Sequence, residues 1–418
     1  MRKNYILMGV TLLLACQASA ETYKGYEIAD CAYFQNYGFQ MSAQLEIADN
    51  DSITFTSQTW GTFCYGAAAQ TVAESEDGQT VTATGVCLMP SMRTGELTEY
   101  YSEMTLTTDA DGYMKGDFVV PGVMGGTTVH FGMVNDSYSV YEIADCAYFQ
   151  NYGFALGNEL SITPVAADTV TIAYHSPTWG EYKMDSTLVS LADGVLTFKG
   201  FGTVLMNGHG GPSEYYAEDS LVLDGLKLSG AFSVPAVMGG TTVHFANFDV
   251  PFAYGAEGTY TVNEIADCAY FSDYGWAEAQ TLSATAVAAD SVKVDYVSPT
   301  WGTFSFPAVA VEYTEEEAPT YSLKGEGNVS MPGMDGSVRE YYAEIDVQIV
   351  DGALSGSLNV PGVMGGTKVR LGDIPEPVGI QQIDAEAAAP VIYDLQGRQL
   401  RDVQKGLQIV GGKKVIVK

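Results

Sequence analysis

The feature that most constrains this 418-residue chain is one unit of roughly 110 residues written three times. The fourteen letters of Tyr26–Phe39 (YEIADCAYFQNYGF) recur unchanged at 141–154 and with few changes at 263–276. The motifs S(Q/P)TWG, EYY(S/A)E and P(G/A)VMGGT follow in the same order in each copy. The period is too long for a solenoid unit and predicts tandem small domains. We place these domains at 22–136, 138–249 and 259–373.

Within each copy the hydrophobic pattern is typical of strands. In copy three, Ser291–Tyr296 and Leu354–Val360 alternate apolar and polar residues, and Tyr342–Val350 runs into an Asp-Gly turn. Such segments, separated by Gly-containing turns, are the signature of hairpins. About seven or eight strands fit in each copy, and closing them removes exposed edges. We therefore predict an all-β chain of three antiparallel up-and-down barrels. The EIADCAYF segment fits either a short helix or a first strand.

The segments between the copies are polar or rich in small residues. We read Gly132–Val140, Ala246–Val262 and 374–390 as linkers, stiffened in the last two by prolines such as Pro251 and Pro375. The residues after 390 then form a separate C-terminal element.

The run from SPTWG through a G-x-G strand to EYYAE and VMGGTTV resembles the bacterial calycin-like β-barrel domain, a lipocalin-related family of secreted and surface proteins. The resemblance covers all three copies. It implies up-and-down barrels and, by analogy, a cup for a hydrophobic ligand. An eight-stranded barrel has an interior just wide enough for side chains or one small ligand.

The acidic composition excludes several partners. Lys and Arg number 19 against 51 Asp and Glu, which gives a formal net charge of −32. Nucleic acids and anionic membrane surfaces require a positive patch, so neither is an expected partner. Since 46% of the residues are hydrophobic and only 17% charged, the acidity does not indicate disorder.

The first twenty residues are typical of an export signal. Arg2 and Lys3 precede an apolar run, and Ala18–Ala20 forms an A-x-A cleavage site. We predict a signal peptide over residues 1–20 and no transmembrane segment in the mature chain. Alternatively, Leu13–Cys16 resembles a lipobox, which would make Cys16 a lipidated N-terminus.

The tail at 391–418 is basic, unlike the acidic body, and alternates apolar residues around glycines. Its YDLQGR and GKKVIVK segments resemble the type A C-terminal sorting domain of bacterial type IX secretion, although Gln408 stands where that family usually has an aromatic residue. The resemblance implies contact with export machinery and a secreted or outer-membrane-surface location in a Gram-negative-type bacterium. The alternative is a small β domain packed on copy three.

Two residue types are candidates for a ligand site at a barrel mouth. Each TWG motif contributes a tryptophan that could plug the barrel end or contact a ligand, and each VMGG turn contributes a methionine that could line an opening or fill the core. These candidates are Trp60, Trp179, Trp301, Met124, Met238 and Met364.

The cysteines fall into two groups. Cys31, Cys146 and Cys268 occupy one equivalent position per copy and are expected to be small core residues. Cys64 and Cys87 occur only in copy one, on successive predicted strands. A disulfide between them is one hypothesis for an exported protein, and two free thiols are the other.

No enzyme motif occurs in the sequence. His130 and His244 are equivalent, but copy three has Arg370 at that position, which argues against a catalytic histidine. The paired glutamates of EYYSE stand four apart, about 13 Å on a strand, farther than the ~5–9.5 Å of a glycosidase pair. We therefore predict a non-enzymatic protein without cofactor or metal.

Taken together, these features predict a secreted or cell-surface protein. Repeated barrels that bind a small hydrophobic ligand, or that act as an interaction module toward a surface protein, would gain avidity from their tandem arrangement. A protease-inhibitor-like role and a purely structural surface role are the alternatives. A hydrolase is the least expected.

Overall fold

The computed structural model describes residues 20–75, 77–91, 94–208, 211–315, 317–333 and 337–377, and the backbone of four short strands in the tail. The predicted signal peptide up to residue 19, including Cys16, lies outside the described residues, as do residues 378–390 of the predicted linker. Within the described residues, no helix is both long and apolar enough to cross a bilayer.

The first copy forms a ring of eight antiparallel strands with one additional strand. The ring order is β4-β3-β2-β1-β9-β8-β7-β6, and pairing of β4 with β6 closes it. Strand β5 pairs with β6 beside this closure. The strands are β1 (Glu21–Cys31), β2 (Tyr37–Ile47), β3 (Ile53–Ser57), β4 (Gly61–Tyr65), β5 (Gln70–Ser75), β6 (Gly78–Pro90), β7 (Leu97–Asp109), β8 (Met114–Val120) and β9 (Thr127–Met133).

The second copy is a closed eight-stranded barrel in which each strand pairs with the next and the last with the first. Its strands are β10 (Ser137–Asp145), β11 (Tyr152–Ala166), β12 (Thr169–Ser176), β13 (Gly180–Ala192), β14 (Val195–Gly208), β15 (Gly211–Asp224), β16 (Lys227–Val234) and β17 (Thr241–Ala246).

The third copy repeats this closed ring. Its strands are β18 (Gly258–Asp267), β19 (Tyr274–Ala288), β20 (Ser291–Ser298), β21 (Gly302–Thr314), β22 (Thr320–Pro332), β23 (Val338–Val350), β24 (Ala353–Val360) and β25 (Thr367–Gly372). The prediction of three antiparallel up-and-down barrels is confirmed. The EIAD segment is strand in all three copies.

The first predicted linker is largely strand, and the second is strand only at its two ends. Only residues 134–136 separate β9 from β10, because β10 begins at Ser137. The segment after Ala246 holds a 3₁₀ turn at Phe252–Tyr254, and β18 begins at Gly258. The polar, small composition of these stretches was misleading, since the first strand of each barrel starts several residues before its apolar EIAD run.

The tail forms a small antiparallel sheet in the order β27-β26-β28-β29. Its strands are β26 (Ile392–Tyr393), β27 (Gln399–Leu400), β28 (Gly406–Val410) and β29 (Lys413–Val417). The first two barrels belong to one compact unit, and the third barrel and the tail sheet belong mainly to a second.

Alternation along each strand produces the cores. In β3 the side chains of Ile53, Phe55 and Ser57 are buried and the intervening threonines are not. Glycine stands where neighbouring strands leave no room for a side chain. A Cβ on Gly202 would lie 2.0 Å from the Lys183 carbonyl oxygen, closer than any real side chain allows. The second glycine of the G-x-G pattern is therefore required at this close approach, and barrel 1 keeps it as Gly85 although Ala83 replaces the first glycine.

Aromatic rings reach across the barrels. In barrel 1, Phe55 on β3 stacks on Phe118 of β8 with ring centroids 4.1 Å apart, and these strands lie on opposite sides of the ring. In barrel 2, Tyr174 and Phe232 meet at 6.2 Å from the equivalent opposite strands. Side chains therefore fill the interior at this level.

Candidate functional site: the motif-bearing end of each barrel

The repeated motifs converge at one end of each barrel. In barrel 1, Cys31 at the end of β1 pairs with Thr127 at the start of β9, and Ser57 pairs with Gly61 across the β3–β4 turn. The loops 32–36, 58–60 and 121–126 consequently lie together. A Cβ on Gly125 would come within 2.8 Å of the Ala32 side chain, so the loops are in contact. We call this the motif end.

Exposed aromatic side chains, together with the methionine of the VMGG turn, border the motif end. We call these sets the aromatic rims. The first tyrosine of each rim is 72% exposed in all three barrels, and the phenylalanine is about half exposed. The rims consist of Tyr33, Phe34, Tyr37 and Met124 in barrel 1; Tyr148, Phe149, Tyr152 and Met238 in barrel 2; and Tyr270, Phe271, Tyr274 and Met364 in barrel 3.

Each rim is continuous with a buried tryptophan. In barrel 1, the Phe34 and Tyr37 ring centroids are 5.6 Å apart, and Tyr37 meets Trp60 edge to face at 6.4 Å. Barrels 2 and 3 repeat both contacts within 0.2 Å. Edge-to-face aromatic pairs at these separations are favourable. The rims are therefore held at fixed positions by the barrel end rather than carried on unsupported loops.

A buried glutamate lies beneath each tryptophan turn. In barrel 2, Glu142 is fully buried, accepts hydrogen bonds from Tyr174 Oη (2.5 Å) and Ser176 Oγ (2.8 Å), and so has a partner for each oxygen. Ser176 Oγ also accepts from the backbone N–H of Trp179 (2.7 Å). The serine of S(Q/P)TWG thus connects the glutamate to the tryptophan turn.

Barrel 3 has the same hydrogen bonds to its buried glutamate as barrel 2, whereas barrel 1 lacks one of them. Glu264 repeats both bonds of barrel 2, at 2.5 Å to Tyr296 and 2.9 Å to Ser298. In barrel 1 the residue equivalent to these tyrosines is Phe55. Glu27 accepts from the Thr59 backbone N–H at 3.1 Å, but among the described residues its Oε2 has no hydrogen-bond partner.

Burial raises the pKa of Glu27, Glu142 and Glu264 above the ordinary value for a glutamate, and their hydrogen bonds only partly oppose this effect. A raised pKa favours the neutral acid in the folded protein. These glutamates are inside the barrel wall, and among the described residues no group of three or more His, Cys, Asp or Glu side chains is placed to hold a metal. Their arrangement serves to fix the motif end.

A surface carboxylate fixes the aromatic loop itself. In barrel 1, Asp30 Oδ1 accepts from the backbone N–H of Asn36 (2.7 Å), which has the left-handed φ of 52°. Asn and Asp tolerate this conformation better than other non-glycine residues. The same bond joins Asp145 to Asn151 and Asp267 to Asp273, at 2.9 and 3.0 Å. We call this bond, together with the cation described next, the loop clamp.

The second oxygen of each clamp aspartate meets a basic side chain from the last strand. His130 Nε2 lies 3.3 Å from Asp30 and its Nδ1 lies 2.7 Å from Asp117. His244 Nε2 lies 3.2 Å from Asp145. The hydrogen bond to Asp117, with a further contribution from Asp30, raises the pKa of His130.

In barrel 3 the clamp cation is Arg370, which forms ion pairs with both Asp267 (2.8 Å) and Asp273 (2.5 Å). Arginine stays charged at every physiological pH. The exchange of histidine for arginine, which argued against catalysis from the sequence, is therefore an exchange of one clamp cation for another.

The structure places the predicted tryptophans and methionines at the same barrel end but in different environments. Trp60, Trp179 and Trp301 are each only 7% exposed, and their indole nitrogens have no hydrogen-bond partner among the described residues. Met124 and Met364 are over one-third exposed in a turn with φ near 50°. The tryptophans fill the end of the barrel, Met124 and Met364 face solvent, and Met238 is partly buried against the core.

The disulfide hypothesis is not supported, because Cys64 and Cys87 are free thiols. Cys87 pairs with Phe63 and points into the core, whereas Cys64 pairs with Val86 and belongs to the outer face. The two strands are adjacent, but the cysteines are offset by one residue. Burial raises the pKa of the Cys87 thiol to about 12.

The expectation that the repeated cysteines are core residues is also wrong. Cys31, Cys146 and Cys268 are half-buried where the first strand ends. The sulfur of Cys146 accepts from the backbone N–H of Tyr148, and Cys268 does the same for Tyr270, each at 3.4 Å. These cysteines support the start of the aromatic loop.

Sequence reasoning missed the rim aromatics, the buried glutamates and the clamp aspartates. All three sets lie within the fourteen-residue run that is identical in the first two copies. Their equal survival in the copies was the available signal. The alternation of apolar and polar residues shows which side of a strand is buried. It does not apply to a loop, so it could not show that the tyrosines of the aromatic loop face solvent.

No family model matches the chain, and neither does any curated protein. Solved structures with a similar strand arrangement include a proposed outer membrane protein of Bacteroides fragilis, at 19% identity and a TM-score of 0.41 over 57% of this chain and 96% of that one.

Two transferrin binding protein B structures also align. That of Haemophilus parasuis has 10% identity and a TM-score of 0.18, over 85% of this chain and 76% of that one. That of Neisseria meningitidis has 9% identity and a TM-score of 0.20, over 84% and 76%. These values assign neither a family nor a partner, and the calycin-like and sorting-domain resemblances stay predictions.

Proposed function

We propose that this protein is an exported, non-enzymatic surface protein whose three barrels present their aromatic rims to an external partner. The observation that carries the proposal is the identical exposure, 72%, of Tyr33, Tyr148 and Tyr270 in three copies of one loop. Solvent-facing aromatic residues at a fixed site contribute contact area to a partner at little cost in side-chain entropy.

The filled interior favours recognition outside the barrel over a hydrophobic cup. A lipocalin-like ligand would occupy the level at which Phe55 and Phe118 stack across barrel 1. The same level in barrel 2 holds Tyr174 and Phe232. A ligand there would have to displace rings that form the core, whereas the rims need no rearrangement.

Three equivalent rims on one chain also suit a multivalent target. Individually weak contacts gain effective affinity when several engage at once. The proposed route outward combines the N-terminal signal with the sorting-like tail, so that the body is displayed on or released from the surface of a Gram-negative-type bacterium. Lipidation at Cys16 is the alternative anchor.

The test compares full-length mature protein with a six-fold rim variant in which Tyr33, Phe34 and their counterparts in barrels 2 and 3 are serine. The control replaces Val72, Val165 and Val287, which are similarly exposed but lie away from the motif ends. Binding would be measured on arrays of purified polysaccharides and extracellular proteins, with a fluorescent fatty acid as the probe for an internal cup.

We expect the rim variant to lose binding to the partners of the wild-type protein and the valine control to retain it. Since every replaced side chain is exposed, both variants should keep the barrel fold. Fatty acid binding that the rim substitutions leave unchanged would favour the cup instead. Partner binding that survives in the rim variant would refute the proposal.

A further inference from the structure

The outer wall of barrel 2 carries a second exposed apolar surface, separate from the rims. Phe201 on β14 is 59% exposed, and Tyr216 on β15 and Leu205 on β14 are nearly half exposed. We call these three residues the wall patch. Large apolar side chains grouped on a solvent-facing wall mark contact sites more often than isolated ones do.

Strand register places the patch on one face of the β14–β15 hairpin. Thr203 pairs with Tyr216 and lies between Phe201 and Leu205 on the outward side of β14. The Phe201 and Tyr216 rings stack with centroids 6.1 Å apart and planes inclined by 30°. Two rings and an aliphatic side chain therefore form one continuous surface.

The barrel fold does not require this surface. Phe201 pairs with Glu218, and the corresponding glutamates of barrels 1 and 3 pair instead with Thr84 and Glu326. One copy thus has a threonine and another a charged residue at the phenylalanine position, and both barrels close equally. Since folding does not explain Phe201, contact with another molecule is the remaining role.

The charges around the patch specify the partner. Glu214 pairs with Leu205 and Glu218 pairs with Phe201 along β15, and among the described residues neither has a cationic partner. The nearby Lys183 is held by Asp185 at 3.0 Å, and Glu181 is held by His175 at 2.5 Å. Glu218 also accepts a hydrogen bond from Tyr216 Oη at 3.0 Å, and the exposed Lys199 lies two residues before Phe201 on the same face of β14. The patch therefore offers the carboxylates of Glu214 and Glu218 beside aromatic faces, next to one lysine.

We propose that the wall patch docks a segment of another protein that carries arginine or lysine beside an apolar residue. The apolar residue would pack on Leu205 and the ring edges, and the cation would lie over Phe201 or Tyr216 within reach of Glu218. This site is distinct from the rims, so it stands independently of the function proposed above.

The test selects random linear peptides displayed on phage against the full mature chain. We expect the selected peptides to be enriched in Arg or Lys next to aliphatic or aromatic residues. A synthetic selected peptide should bind Phe201→Glu about tenfold or more weakly than wild type, a difference of ~1.4 kcal/mol. Glu218→Gln should weaken binding and reduce its salt dependence.

Three controls make the result specific. Thr84→Glu changes the same register position in barrel 1 and should leave binding unchanged, as should the six-fold rim variant. Circular dichroism melting would establish that each variant is folded. Selection of no peptide, of peptides without positive charge, or of peptides that bind Phe201→Glu as tightly as wild type would each overturn the proposal.

Discussion

Barrels 1 and 2 each bury a glutamate at the motif end, but they differ in how many of its carboxylate oxygens have a hydrogen-bond partner. Glu142 has a hydroxyl partner for each carboxylate oxygen, whereas Glu27 has one oxygen without a partner because Phe55 stands where barrel 2 has Tyr174. In exchange, Phe55 stacks closely on Phe118. The comparison indicates that this glutamate position tolerates a missing hydrogen bond where ring packing is improved.

The largest effect is expected from Tyr174→Phe, which removes the hydroxyl donor to Glu142 and gives barrel 2 the phenylalanine that barrel 1 has at this position. Leaving Glu142 Oε2 buried without a partner should lower the free energy of unfolding of barrel 2 by about 2–3 kcal/mol. Hydrogen exchange with mass spectrometry, read on peptides of each barrel, would measure it.

The matched control for that substitution is Tyr182→Phe. The Tyr182 hydroxyl is buried and has no partner among the described residues, so its removal should be neutral or stabilising. Equal losses in the two variants would show that the Tyr174 hydrogen bond contributes nothing specific.

The reverse change, Phe55→Tyr, should stabilise barrel 1 by about 1–2 kcal/mol, because the new hydroxyl would donate to the free oxygen of Glu27. Phe63→Tyr is its control, since it adds a hydroxyl at the position equivalent to Tyr182, where no acceptor pairs with it. Denaturation profiles in which both variants are less stable than wild type would contradict the interpretation that Glu27 lacks a hydrogen-bond donor.

Glu27→Gln tests the comparison through the pH dependence of stability, because it replaces the buried ionisable group of barrel 1 with a neutral amide. The folded-state pKa of Glu27 is raised, so wild-type stability is fully present below the ordinary glutamate pKa of about 4.3 and declines as pH rises through the folded value. The neutral variant avoids that decline and should therefore be the more stable protein at pH 7, with no difference near pH 4.

Glu142→Gln should have the opposite sign at pH 7, since an amide NH₂ would face one of the two hydroxyl donors of barrel 2. Barrel-resolved hydrogen exchange at several pH values measures both variants. Identical pH profiles for wild type and Glu27→Gln would refute burial of an ionisable group as the cause.

The smallest expected effect concerns the loop clamps. Because its carboxylate partners raise the pKa of His130, the stabilisation by its charge is present below pH ~6.5 and is lost as pH rises through the folded value. The groups are partly exposed, so the contribution should be about 0.3–0.5 kcal/mol.

His130→Arg should remove this pH dependence from exchange of the 32–36 loop, after correction for intrinsic rates. Arg370→His should introduce it into the corresponding loop of barrel 3. A barrel 1 loop whose protection does not change between pH ~5.5 and pH ~8, on either side of the ordinary histidine pKa of about 6.5, would rule out the histidine as the titrating group of the clamp.

The repeats and the two-residue periodicity were enough to predict the barrels, because alternation such as that of β20 leaves few ways to bury one face. The site was harder. Phe34 and Phe55 are the same residue type, yet one faces solvent and the other fills the core. Cys64 and Cys87 lie on adjacent strands, but their faces depend on a register that the sequence does not display.

The ring stack between Phe55 and Phe118 has a mechanical consequence. Because it joins opposite walls of barrel 1, a smaller side chain at either ring would remove a contact between two strands that do not pair with each other. The side chains of outward positions such as Thr84 make no contact across the barrel interior. A triplicated chain of this kind can therefore diversify its exterior one copy at a time while barrels 1 and 2 keep their internal ring contacts.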